Sequence, residues 1–126
     1  MQPLIIRGNV WRVTRVSPGD PFLIDRTGVP RIATTDVRDK VIRISETVAP
    51  PLLDKVMLHE AAHAVMEETG VSDLLMHATD EVRIASEELL AWFLETYAIE
   101  IIDAVRISLG RDICVDGLCI GGQPWK

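Results

Sequence analysis

Two of the chain's three histidines stand four residues apart around a glutamate, in Leu58-His59-Glu60-Ala61-Ala62-His63-Ala64-Val65. In a helix, residues four apart stack on one face, so both imidazoles can reach one ion while Glu60, turned about 100° from His59, leans beside it. Such a site holds zinc (Zn2+) and leaves one position for water. The metal brings the pKa of that water towards neutrality, and the carboxylate takes its proton and returns it to a leaving amine. The implied chemistry is hydrolysis of a peptide bond, with Glu60 as general base and His59 and His63 as ligands. The competing reading makes both histidines core residues satisfied by backbone carbonyls, with Glu60 a solvated helix residue. His59 and His63 fall on the stripe Leu52, Val56, His59, His63, Met66, which is expected to be the buried stripe of an amphipathic helix, and buried imidazoles at ligand spacing favour the metal.

Two histidines do not complete a catalytic zinc site, which usually has three protein ligands. A third histidine six residues after His63 is missing, since Thr69 stands there and Met66 replaces the glycine that accompanies that pattern. His77 could reach back from a short turn. Glu87 and Glu88 in Ser86-Glu87-Glu88-Leu89-Leu90-Ala91 are the better candidates. Glu87 lies above Leu90, Ala91, Leu94, Ala98 and Ile101, an apolar face expected to pack inward, whereas Glu88 shares its face with Trp92, Glu95, Ile99 and Ile102. Glu87 is therefore preferred and Glu88 is the alternate. Against both, Ser86 can cap a helix whose first turn collects acids to complement the dipole.

The elements that must position these residues can be read from periodicity. Leu4 to Ile6, Trp11 to Val16, Phe22-Leu23-Ile24, Val29 to Ala33 and Lys40 to Ser45 read as short strands separated by turn residues, giving a small antiparallel sheet of three to five strands. Pro50-Pro51 suits the first turn of a helix, which runs to Thr69 and stops at Gly70. A short helical turn follows Ser72, and a last long helix begins near Thr79 or Ser86 and stops at Gly110. The predicted class is α+β, a single domain over residues 1–126 in which a small antiparallel sheet precedes the motif helix and a second long helix.

With that order in place, the chain resembles the small gluzincin metallopeptidases, and within them the ImmA/IrrE-type and minimal proteins often found in phages and mobile elements. The resemblance covers roughly Lys40 to Ile101: the strand ending Ile42-Arg43-Ile44-Ser45, the proline pair, Leu52 to His63, and the acidic Ser86-Glu87-Glu88. It implies that His59, His63 and Glu87 hold zinc, that Glu60 is the general base, and that Val41 to Ser45 is a sheet edge along which an extended peptide adds as a further strand. Larger gluzincins place an aspartate four residues beyond the glutamate ligand to orient a histidine, and here that position is Ala91. A backbone carbonyl would have to orient the ligand instead. Tyr97, the only tyrosine, is expected to be buried rather than to stabilise an oxyanion.

Composition excludes other classes. No apolar run is long enough to span a bilayer, and Met1 to Arg15 is broken by Arg7, Asn9, Arg12 and Arg15 rather than built as a signal peptide, so a cytoplasmic protein without a membrane partner is expected. A net charge of −6 argues against a general affinity for nucleic acid, although Arg7, Arg12, Arg15, Arg26 and Arg31 leave room for a local basic face. Cys114 and Cys119 flank a hairpin turn at Asp116-Gly117 and are expected to be thiols. The partner is a protein or peptide substrate. One rival is a non-catalytic zinc-containing protein-binding module of phage or mobile-element origin, using its sheet edge or Trp11 and Trp125. Another is a plain helical interaction protein without metal.

Overall fold

The computed structural model describes residues 1–25, 27–76 and 82–120, and the side chains of all of these except 76, 82–92 and 95. Its first strands are β1 (Leu4–Ile6) and β2 (Asn9–Val16), joined through Arg7 and Gly8, both at positive φ (51° and 81°). Two left-handed residues in a two-residue loop make the turn whose twist matches that of the strands it joins. After a long connection come β3 (Ala33–Asp36) and β4 (Val41–Ser45), and the sheet order is β1-β2-β4-β3.

The sheet is mixed, which corrects the expectation of an antiparallel one. β1 with β2 and β3 with β4 are antiparallel, but β2 and β4 run parallel, from Arg12 opposite Val41 to Val16 opposite Ser45. Residues 17–32 carry the chain past the place of β4 and lay β3 at the outer edge. The turn after β3 then brings β4 back between its neighbours in the direction of β2. Two local expectations also change. Phe22 lies in a 3-10 turn (Pro21–Leu23) capped by Asp20, which accepts from the Phe22 N–H at 2.8 Å, and the extended segment expected at Val29 to Ala33 begins regular pairing only at Ala33. Asp25 ties down the loop before β3, accepting from the Thr27 and Val29 amides and from Arg31 Nε.

The helices follow their sequence signals closely. α1 (Leu52–Thr69) begins after the proline pair and ends at Gly70, whose φ of 78° is the left-handed cap that glycine adopts without strain. α2 (Val71–Met76) is short, and α3 (Val82–Leu109) stops at Gly110. Sheet first and helices after it make the arrangement α+β. α1 and α3 cover one face of the sheet. Leu4, Ile6, Trp11, Ile42 and Ile44 meet Met57, Ala61, Ala64 and Val65 of α1 and Phe93, Tyr97, Ile101 and Val105 of α3 in one apolar cluster. Ile5 and Val10, on alternate positions, are exposed. Tyr97 is buried as expected, but Trp11 is wholly buried, which removes it from the exposed aromatics; Trp125 lies outside the described residues.

The C-terminal hairpin consists of β5 (Ile113–Val115) and β6 (Leu118–Ile120), turned by Asp116 and Gly117 at φ 52° and 81°. That turn puts Cys114 opposite Cys119, and the two are joined in a disulfide, which corrects the expectation of thiols. Asp54, in the first turn of α1 and only 1% exposed, fastens the hairpin to the helix. Its carboxylate accepts both Arg111 terminal nitrogens at 2.7 and 2.8 Å and the Cys114 amide at 2.7 Å. No helix among the described residues is long and apolar enough to cross a membrane.

Candidate functional site

The motif lies in the middle of α1, but its phase differs from the sequence expectation. The buried side of α1 is Leu53, Val56, Met57, Glu60, Ala61, Ala64 and Val65. Glu60 is 6% exposed, whereas His59 and His63 are exposed, as is Leu52. Of the stripe Leu52, Val56, His59, His63 and Met66, Val56 is buried and Met66 half-buried, but both histidines sit on the exposed flank of the helix and the glutamate takes the inward place. The reason is compositional. Ala61, Ala62 and Ala64 make more than half of the helix circumference apolar, so the sequence alone allows two phases, and packing of Met57, Ala61 and Val65 against the sheet selects one.

The two imidazoles converge, with His59 Nε2 and His63 Nε2 3.2 Å apart and ring planes inclined by 69°. Nitrogens bound to one tetrahedral zinc at the usual bond length stand roughly 3.3 Å apart, so the pair has the span of two ligands to one ion. The same distance also admits a hydrogen bond between the rings. Among the described residues no third His, Cys, Asp or Glu joins the pair as a ligand group. His77 and the side chains of Glu87 and Glu88 lie outside the described residues.

The described part of α3 bears on the face expected to carry Glu87. Its buried stripe is Phe93, Tyr97, Ile101, Ala104, Val105 and Ser108, while Leu94 is 52% exposed. Of the face assigned to Glu87, Leu94 is thus turned outward while Ile101 is buried, so the inward packing expected of it holds at Ile101 and not at Leu94; the side chains of Leu90 and Ala91 lie outside the described residues. Glu87 keeps its candidacy on the resemblance by position, not on that face.

Glu60 points towards the sheet. Thr35 Oγ1, on β3, donates to Glu60 Oε2 at 2.5 Å. Beside this contact, Arg31, Ile32, Ala33, Lys55, Val56, His59 and Glu60 line an open cavity of about 280 Å3 between α1 and β3. Its two cations are paired at the rim, Arg31 with Asp25 at 2.7 Å and Lys55 with Asp116 at 3.0 Å. Thr27, Arg31 and the Val29 amide hold Asp25 well below the usual carboxylate range.

β3 is also an edge strand of the sheet, as is β1, whereas β4, expected at an edge, is flanked on both sides. The Ser45 amide donates to the Ile32 carbonyl at 2.8 Å, and antiparallel ladders alternate, so Ala33 and Thr35 turn their backbone N–H and C=O groups outward along the edge. Sequence reading missed this strand and Thr35 with it. The available signal was the β-branched pair Thr34-Thr35 directly before the turn at residues 37–40. Compared with family models, curated proteins and solved structures, the chain gives no match.

Proposed function

We propose that this protein is a zinc-dependent metallopeptidase of minimal gluzincin type, cleaving a protein or peptide substrate. His59 and His63 would hold the metal through Nε2, with Glu87 as third ligand and Glu88 its alternate. The observation that carries the reading is the pairing of two imidazole nitrogens 3.2 Å apart with a buried carboxylate one residue away that faces the cavity along an open strand edge. A pair of histidines alone would serve a structural ion equally well. The carboxylate beside the cavity is what hydrolysis requires and storage does not.

Bound there, zinc would supply Lewis acidity, polarising a carbonyl and making a water acidic. Glu60 would accept a proton from the attacking water on a carboxylate oxygen and deliver it to the leaving amine nitrogen, which converts a poor leaving group into a neutral one. An extended peptide bonds to the outward N–H and C=O groups of Ala33 and Thr35, which sets its chain alongside α1. Ile32 and Val56 offer apolar contact to one of its side chains.

The test has two parts. The purified chain should carry close to one zinc, and His59→Ala or His63→Ala should abolish binding. Glu60→Gln should keep the zinc and the fold but lower cleavage of a peptide library by roughly a hundredfold or more. Full zinc occupancy in both histidine variants removes the site. Equal cleavage by wild type and Glu60→Gln removes the mechanism. A zinc-loaded wild type that cuts nothing leaves the non-catalytic binding module in its place.

A further inference from the structure

We propose that Thr35 is a positioning residue for Glu60: its hydroxyl, presented by the edge strand, fixes one carboxylate oxygen and leaves the other for proton transfer. This rests on the peptidase reading for its consequence in catalysis, but the contact itself stands on geometry. Thr35 Oγ1 lies 2.5 Å from Glu60 Oε2 and 3.4 Å from the Glu60 carbonyl oxygen, so the single hydroxyl proton goes to the carboxylate. No other donor to that carboxylate occurs among the described residues, although Glu60 is only 6% exposed. A buried carboxylate with one partner is held by that partner. Without it, the desolvated oxygen has a strong reason to swing towards water.

The placement on β3 adds a second consequence. Thr35 directs its side chain to Glu60 and its backbone N–H and C=O to the open edge, so the residue that holds the base is also one that an added peptide strand would bond. Docking of a substrate on β3 would therefore fix the strand that fixes the carboxylate. A β-branched residue suits the task because its χ1 is restricted in a strand, which keeps the hydroxyl aimed at the helix.

Thr35→Val removes the hydroxyl and keeps the shape, while Thr35→Ser keeps the hydroxyl and loses a methyl group. In crystal structures of the zinc-treated full chain, Glu60 should leave its present rotamer in Thr35→Val and retain it in Thr35→Ser. On peptide-library substrates kcat should fall by roughly ten- to a hundredfold in Thr35→Val, the scale of a misplaced reacting group. KM and zinc affinity should stay within about twofold, and Thr35→Ser should recover most of kcat. Thr35→Ala serves in the same comparison if valine prevents folding. An unmoved Glu60 in the hydroxyl-free variant overturns the proposal, as does loss of kcat in Thr35→Ser equal to that in Thr35→Val. If the wild type itself cleaves nothing, the peptidase reading fails while the Glu60 rotamer still decides the role of Thr35.

Discussion

A dication held by two neutral imidazoles keeps its whole charge, so the residue that completes the set should matter more to affinity than either neighbour of similar chemistry. Replacing Glu87 by alanine should weaken zinc binding by more than the roughly 10–100-fold that loss of a ligand's hydrogen-bond partner costs. Glu88→Ala and His77→Ala should change it little. Chelator competition on the three variants at one ionic strength gives the order directly, and a site that survives Glu87→Ala but not Glu88→Ala or His77→Ala assigns the ligand elsewhere. At this scale the sequence was informative about residue types and much less about phase. The spacing of His59 and His63 brought their nitrogens together on one helix, yet the inward position belonged to Glu60, because Ala61, Ala62 and Ala64, within and just after the motif, do not declare which side is core. The strand of Thr35 had a local signal, but its contact with Glu60 had none. The role of Thr35 depends on a contact between residues 25 apart in the chain, and no local pattern encodes such a contact.

Among the elements, α1 depends on what its first turn is tied to. Asp54 is buried, whereas the Cys114–Cys119 bridge closes a loop with a sequence separation of only 5, so the carboxylate and not the disulfide should be the main fastening of the hairpin. Asp54→Ala removes three charge-assisted hydrogen bonds, each worth about 1.5–3 kcal/mol where buried and less at Arg111, which is 41% exposed. A loop this short is worth about 2 kcal/mol in the chain-entropy account. Asp54→Ala should therefore lower stability against urea more than the double replacement Cys114→Ser with Cys119→Ser. The opposite ranking would mean that Arg111 and the Cys114 amide find water as readily as they found Asp54. The C-terminal limits of α1 and α3 were legible because Gly70 and Gly110 stop a helix by a local conformational preference, whereas the start of α3, expected near Thr79 or Ser86, is Val82. Sheet order was not legible. Whether β3 passes beyond β4 is decided by how the connection between β2 and β3 can pack; a reading that joins successive strands as hairpins makes the sheet antiparallel, and the edge position expected of Val41 to Ser45 came from the resemblance.

At the scale of the whole molecule, four carboxylates among the described residues hold segments together, and the surroundings of each lower its pKa below the ordinary value. Asp54 is lowered by Arg111 and the Cys114 amide against its burial. Burial would raise Glu68, but hydrogen bonds from Lys40, Trp11 and Asn9 outweigh it and bring it down. The Asp39 amide and Arg43 lower Asp36, and Asp25 is held by Thr27, Arg31 and the Val29 amide. A carboxyl whose folded pKa is depressed contributes stability that is complete above its unfolded pKa and is lost as pH falls through the folded one. Those ordinary values are 3.8 for the aspartates and 4.5 for Glu68, so stability should hold from neutrality to about pH 5 and fall progressively below that. Zinc would obscure the effect, since histidine ligands shed the metal as they protonate. The measurement is therefore urea unfolding of chelator-treated protein at pH 7, 5, 4 and 3. Asp54→Asn combined with Glu68→Gln should be less stable than wild type at pH 7 and lose less on acidification, because two of the groups that bind protons on unfolding are gone. If the double variant falls as steeply as wild type between pH 5 and pH 3, acid does not act through these joins, and the attachment of α1 to the hairpin at one end and to the sheet at the other must rest on apolar packing alone.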